Sequence, residues 1–188
     1  MRHAHRHLAI AALIAASLWL AASASAAGAT PSSLAQDLRL SLSDAETALI
    51  LGDPAAARGE LGAARGRTTE LLAGRPLERR TALAALGRAE AAVAARDDAA
   101  FAATRATAWT AVLRAAMAES VAAARGGDVA HARAWLLVRD FRPPTRFSRA
   151  STDATRALGR LEAGTMRPAD AATVVRADLL DTFEGRLR

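Results

Sequence analysis

Four arginines surround a proline pair late in the chain. Arg139, Arg142, Arg146 and Arg149 flank Pro143-Pro144 at steps of three or four residues. Guanidinium groups so crowded can grip a phosphate or carboxylate through bidentate hydrogen bonds. They can equally pair with the chain's own acids, Asp140, Asp153, Asp178 and Asp181, and clamp the proline loop to the last helix. A second group is Asp178, Asp181 and Glu184, three residues apart. Three carboxylates along one side of a helix can hold a hard or borderline cation. Arg176 and Arg186 stand close enough to neutralise them as a salt-bridged face instead.

Other chemistries lack their residues. There is no cysteine, so neither a disulfide framework nor a thiolate metal site is available. Tyrosine is absent as well. Of four histidines, three (His3, His5 and His7) stand near the start; His131 is alone, with no His-x-x-x-His or His-x-x-Glu partner. No serine nucleophile elbow, phosphate loop or glycine-rich nucleotide fingerprint occurs. We therefore expect no catalytic residues and no resident cofactor, with iron left open on the weak candidates Asp178, Asp181 and Glu184.

Composition limits the partners. All 25 basic residues are arginines, set among 19 acids for a net charge of +6. Because the two signs are interleaved, the basic balance does not point to nucleic acid. Hydrophobic residues reach 52% but aromatics only 4%, so the core must be thin and alanine-rich with a few large anchors. Trp109, Trp135, Phe141, Phe147 and Phe183 are the expected anchors.

The elements that must position these residues are helical. Leu34, Leu38, Leu42, Ala45 and Leu49 recur at helical spacing, and Gly52 closes that stripe. Asp53-Pro54 opens a second helix reaching about Gly74, since Asp caps and Pro suits the first turn. Pro76 starts a third, carrying Leu83, Leu86 and Val93. The fourth and longest runs over 98–125 with Phe101, Trp109, Leu113, Met117 and Val121. Gly126-Gly127 stops it, and Asp128 caps a fifth with Val129, Ala132 and Leu136. Pro143-Pro144 forbids a continuous helix. Ser151 or Thr152 caps a sixth over 153–163, and Pro168 opens a last helix with Ala172, Val175, Leu179, Phe183 and Leu187. No stretch alternates as a strand would. The fold class is all-α, an antiparallel bundle of about seven helices. The junctions GDPAAARGEL, RDDAAFAATR and GGDVAHARAW look alike, which leaves open a tetratricopeptide-like array beside simple hairpins.

The N-terminus reads as a targeting segment. MRHAHRH is basic, LAIAALIAASLWLAA (Leu8 to Ala22) is apolar, and small residues follow, with the best cleavage point after Ala26. The expected organisation is a signal peptide at 1–26, a flexible tether at 27–32 and a secreted helical domain at 33–188. Cleavage leaves 23 arginines against 19 acids, a net +4. The expected location is extracytoplasmic, secreted or periplasmic, or membrane-anchored if the segment is retained. The last helix carries no stop signal at Arg188, so related proteins are expected to continue there.

The segment 134-AWLLVRDFRPPTRFSRASTDATRALGRLEAG-164, followed by 175-VRADLLDTFEGRL-187, resembles the extracytoplasmic N-terminal domain of bacterial high-affinity iron permeases, the oxidase-dependent iron transporters. The turn from Arg139 to Phe147 and the run Asp178 to Thr182 match as structural signatures of that domain. The family's iron-coordinating Arg-Glu-x-x-Glu motifs have no counterpart, because no Arg-Glu dipeptide occurs. The resemblance implies a non-catalytic accessory domain with a scaffold or docking role in iron uptake, its partner a membrane iron permease or another iron-uptake protein. The alternative is a secreted helical-repeat interaction module unrelated to iron.

Overall fold

Three reversals of this chain are made from the same two-residue joint. The computed structural model describes residues 29–139 and 150–187, and among them it contains seven α-helices, one 3-10 turn and no strand. The helices are α1 (Pro31–Ile50), α2 (Pro54–Leu71), α3 (Pro76–Ala95), α4 (Asp98–Gly126), α5 (Val129–Leu136), α6 (Ala150–Glu162) and α7 (Pro168–Leu187). The 3-10 turn, Leu137–Arg139, follows α5 directly. The described residues from Pro31 onward form one compact unit.

The joints are Gly52-Asp53, Arg96-Asp97 and Gly127-Asp128. The first residue of each takes a left-handed backbone, with φ of 76°, 55° and 81° respectively. The aspartate N–H then donates back across the helix end: Asp53 to Ala48 O at 2.8 Å, Asp97 to Ala92 O and Asp128 to Ala123 O, both at 2.9 Å. The left-handed residue adds its own bond three residues back, as in a Schellman closure. The same aspartate side chain opens the next helix. Asp53 Oδ1 accepts from Ala55 and Ala56 N–H, Asp97 Oδ1 from Ala100 N–H and Asp128 Oδ1 from His131 N–H. One residue thus satisfies orphan groups of two helices. The resemblance among the three junction sequences is this shared capping chemistry.

The helices pack around α4. With 29 residues it is about 43 Å long at 1.5 Å per residue. Its first two-thirds, with Phe101, Ala108, Val112 and Ala115, join α1, α2 and α3 in one core that also takes Trp135 and Val138. Its last turns, with Ala123 and Ala124, join Ala132 and Leu136 of α5, Ala154 and Leu158 of α6, and Val175 and Leu179 of α7 in a second core. Fully burying a Leu or Phe side chain contributes about 1.5–3 kcal/mol. The alanines between such anchors supply little area each but let helices come close. α1 touches α4, α5 and the 3-10 turn as well as α2. In a repeat array each unit meets only its neighbours. These contacts make a bundle closed on itself, which removes the structural ground for the tetratricopeptide-like alternative.

Several boundaries differ from the sequence expectation. α1 starts at Pro31, so the last two residues assigned to a tether form its first turn; Pro31 fits there because its φ is already helical. α2 stops at Leu71 rather than near Gly74, because buried Leu72 turns into a loop tied by Arg75 N–H to Leu72 O at 3.0 Å. α6 begins at Ala150, so Ser151 and Thr152 lie inside its first turn instead of capping it.

The joints predict an asymmetry between two substitutions. Arg96→Gly should stabilise the protein by about 0.5–1 kcal/mol by relieving the left-handed arginine, offset in part by the freer unfolded chain. Gly52→Ala should cost about 1 kcal/mol, although no atom lies within 4 Å of the added Cβ, because its φ of +76° is the obstacle. Urea unfolding of the two variants beside the wild type measures both signs.

Candidate functional site

Three polar arrangements on the described surface stand out where helices meet. At the junction of α3, α4 and α5, the Arg75 guanidinium donates from Nη2 to Glu78 Oε1 at 2.7 Å. Its Nε stands 3.9 Å from Glu119 Oε1, too far for a hydrogen bond, so that contact is ionic. Glu119 Oε2 in turn lies 3.3 Å from His131 Nε2. His131 therefore has a partner after all, supplied by the neighbouring helix rather than by its own. Its ring also lies tilted against that of Trp135, with centroids 6.4 Å apart. Ser120, beside Glu119 in sequence, is fully buried and its hydroxyl has no hydrogen-bond partner. Among the described residues, the side-chain partners of the His131 ring are Glu119 and Trp135.

The second arrangement holds α6 to its neighbours. Asp178 of α7 is buried, and its Oδ2 accepts from Ala154 N–H of α6 at 3.3 Å. Asp153 pairs within α6 with Arg156 at 2.7 Å. Arg133 of α5 grips Glu162 of α6 with both nitrogens, at 3.2 and 2.7 Å. That grip holds the exposed Glu162 carboxyl below its ordinary range.

The third is a cleft of about 340 Å³ between α1 and α4. Arg39, Leu42 and Ser43 line it from α1, and Arg105, Ala106 and Trp109 from α4. Arg105 Nη1 is paired with Glu46 Oε2, one turn along α1 from Leu42. On the other side of α1, Arg67 of α2 donates to the Ser41 hydroxyl at 3.0 Å.

The residues singled out from sequence fall unevenly on this map. Arg142, Arg146 and Arg149, with Phe141 and Phe147, lie outside the described residues, as does the side chain of Arg139. The side chains of Asp181, Phe183 and Glu184 also lie outside those described. Asp178 Oδ2 accepts from the backbone of α6; no group of three or more His, Asp or Glu that could hold a metal occurs among the described residues. Trp135 is buried as an anchor should be, whereas Trp109 is only partly buried because small Ser43 and Ala106 leave the cleft open beside it. Phe101, fully buried, is the large aromatic anchor of the first core.

The cleft and the Glu119–His131 contact were not read from the sequence. Arg39 with Ser43, and Arg105 with Trp109, are each spaced by one helical turn, a visible signal. Which helix faces which is not visible in a single chain.

Comparison with known proteins gives the family. The family model for the iron permease FTR1 N-terminal domain matches residues 29–188. The chain belongs to this family of iron-permease-related helical domains. No curated protein and no solved structure matches it. No described helix is long and apolar enough to cross a membrane.

The Arg75–Glu78 contact carries a pH prediction. The hydrogen bond from Arg75 outweighs desolvation and holds the Glu78 carboxyl below its ordinary 4.5. A depressed folded value adds stability that is complete above the unfolded value and lost as pH falls through the folded one. The stability gap between wild type and Glu78→Gln should therefore be constant above about pH 5.5 and shrink as pH drops below about 4.5. Urea unfolding across that range checks it.

Proposed function

We propose that this domain lies outside the cytoplasmic membrane and serves as a docking scaffold for a membrane iron permease, without catalysis of its own. The observation that carries the reading is the family match across residues 29–188. A basic, then apolar, then small-residue N-terminus supports export. The closed bundle supports a rigid platform: its polar side chains join helices to each other, as Arg75, Glu78, Glu119 and His131 do. Pairing with a permease gives an accessory domain a role near iron while the membrane partner supplies the carboxylates that take the metal.

The test is genetic and biochemical together. Deleting the chain in its own cell should reduce uptake of radioactive iron several-fold under iron limitation, with full recovery on re-expression. Cross-linking the tagged chain in intact cells should capture a membrane protein bearing Arg-Glu-x-x-Glu. Unchanged iron uptake in the deletion, or recovery of the chain from the cytosol alone, contradicts the proposal.

A further inference from the structure

We propose that the outer face of α3, with Arg114 of α4 beside it, binds an anionic membrane surface. The inference goes beyond the docking role and does not rest on it. Successive residues of a helix turn by about 100°, so Leu77, Arg80, Ala84, Arg88 and Ala91 share one stripe of α3. All of them are exposed, and the stripe lies opposite the buried Ala82, Leu86, Ala89 and Val93. Across a groove from Leu77 and Thr81 stand Ala111 and Arg114 of α4.

The charge of this face follows from where its acids are held. Among the described residues Arg80, Arg88 and Arg114 take part in no ion pair or hydrogen bond. The acids of α3 are engaged: Glu78 with Arg75 at 2.7 Å, and Glu90 with Arg65 of α2 at 2.8 Å. Arg114 attracts Glu78 from beyond ion-pair distance, the weakest influence on that carboxyl. Along α4 no acid occurs between Asp98 and Glu119. Signs that alternate in the sequence therefore separate in the fold, and these guanidiniums meet solvent on one side of the α3–α4 hairpin.

Shape chooses the occupant. At 1.5 Å per residue, Arg80 and Arg88 stand about 12 Å apart along the axis. That span, relieved only by small side chains, offers no enclosure for a compact anion. The groove beside it is about 170 Å³, below the roughly 300–1,000 Å³ of small-molecule pockets. Leu77, 68% exposed, is the one large apolar side chain on the stripe, which falls short of the apolar core that a protein interface carries. A flat anionic surface needs neither enclosure nor such a core. It takes several cations side by side, each adding about fivefold to binding, while a protruding leucine enters the layer below the headgroups.

The chain has no cysteine, so a polarity-sensitive fluorophore on Leu77→Cys reports this face in the full chain. Titration with vesicles of phosphatidylcholine and phosphatidylglycerol in equal parts should shift its emission to the blue. Vesicles of phosphatidylcholine alone should not. On that labelled background Arg88→Gln should need about fivefold more lipid for half the shift, and Arg80→Gln, Arg88→Gln and Arg114→Gln together about a hundredfold more. The arginines are exposed, so melting temperatures should stay within about 3 °C. The same fluorophore on Arg176→Cys of α7, a helix packed on α4 and α6, should not shift. Equal shifts with the two kinds of vesicle, a combined variant that titrates like its parent, or an equal shift at position 176 would each overturn the assignment. A shift with polyglutamate and none with anionic vesicles would overturn it in favour of an acidic protein partner. Because the vesicles hold no permease, a failure here leaves the docking role standing, and normal iron uptake without the chain leaves this face standing.

Discussion

An aspartate that closes one helix and opens the next is the constraint on which this molecule depends. Alanine-rich helices have few large side chains to fix the angle at which they meet. At Asp53, Asp97 and Asp128 the angle is instead fixed at the turn. The N–H satisfies a carbonyl of the helix just ended, and the carboxylate satisfies amides of the helix about to start. The residue before each must be left-handed to make the reversal so tight. Two of the three are glycine; the third, Arg96, accepts the strain. With the reversals set, α1 and α2, α3 and α4, and α4 and α5 pack as neighbours, and small side chains suffice between them.

The second constraint is the length of α4. Among the described helices, α4 and α5 contribute buried residues to both hydrophobic cores, α5 giving Trp135 to the first and Leu136 to the second. Neither core is rich in aromatics, and arginine–carboxylate contacts bind the outer layer: Arg65–Glu90 between α2 and α3, Arg105–Glu46 between α4 and α1, and Arg133–Glu162 between α5 and α6. Such exposed pairs contribute little individually. Their value here is in choosing which helices face each other, a choice that uniform alanine surfaces leave weakly specified.

The sequence carried the helices well because their ends are written in local chemistry. Asp53-Pro54, Asp128 after two glycines, and Pro76 and Pro168 are start signals whose effect needs no knowledge of the rest of the chain. Likewise, the segment from Ala134 to Gly164 pointed to the iron-permease domain, and the family match extends that reading to residues 29–188. What depends on distant residues was not readable. His131 looked solitary because Glu119 sits on another helix. Trp109 looked like core because its stripe is apolar, yet it is only partly buried and lines a cleft with Arg39, Leu42 and Ser43 of α1. Asp178 stood out for its spacing from Asp181 and Glu184, and its contact with a backbone amide of α6 had no local signal. Arg96 gave no warning of a left-handed backbone, since glycine is the usual signal there.

The claim that these aspartates are caps, not chemistry, is tested most directly by replacing each of Asp53, Asp97 and Asp128 with asparagine and with alanine and measuring urea unfolding of the full chain. Asparagine caps as well as aspartate, so the asparagine variants should keep wild-type stability within about 0.5 kcal/mol, and the alanine variants should lose about 1 kcal/mol each. Alanine variants as stable as the wild type, or asparagine variants as weak as alanine, would contradict the account.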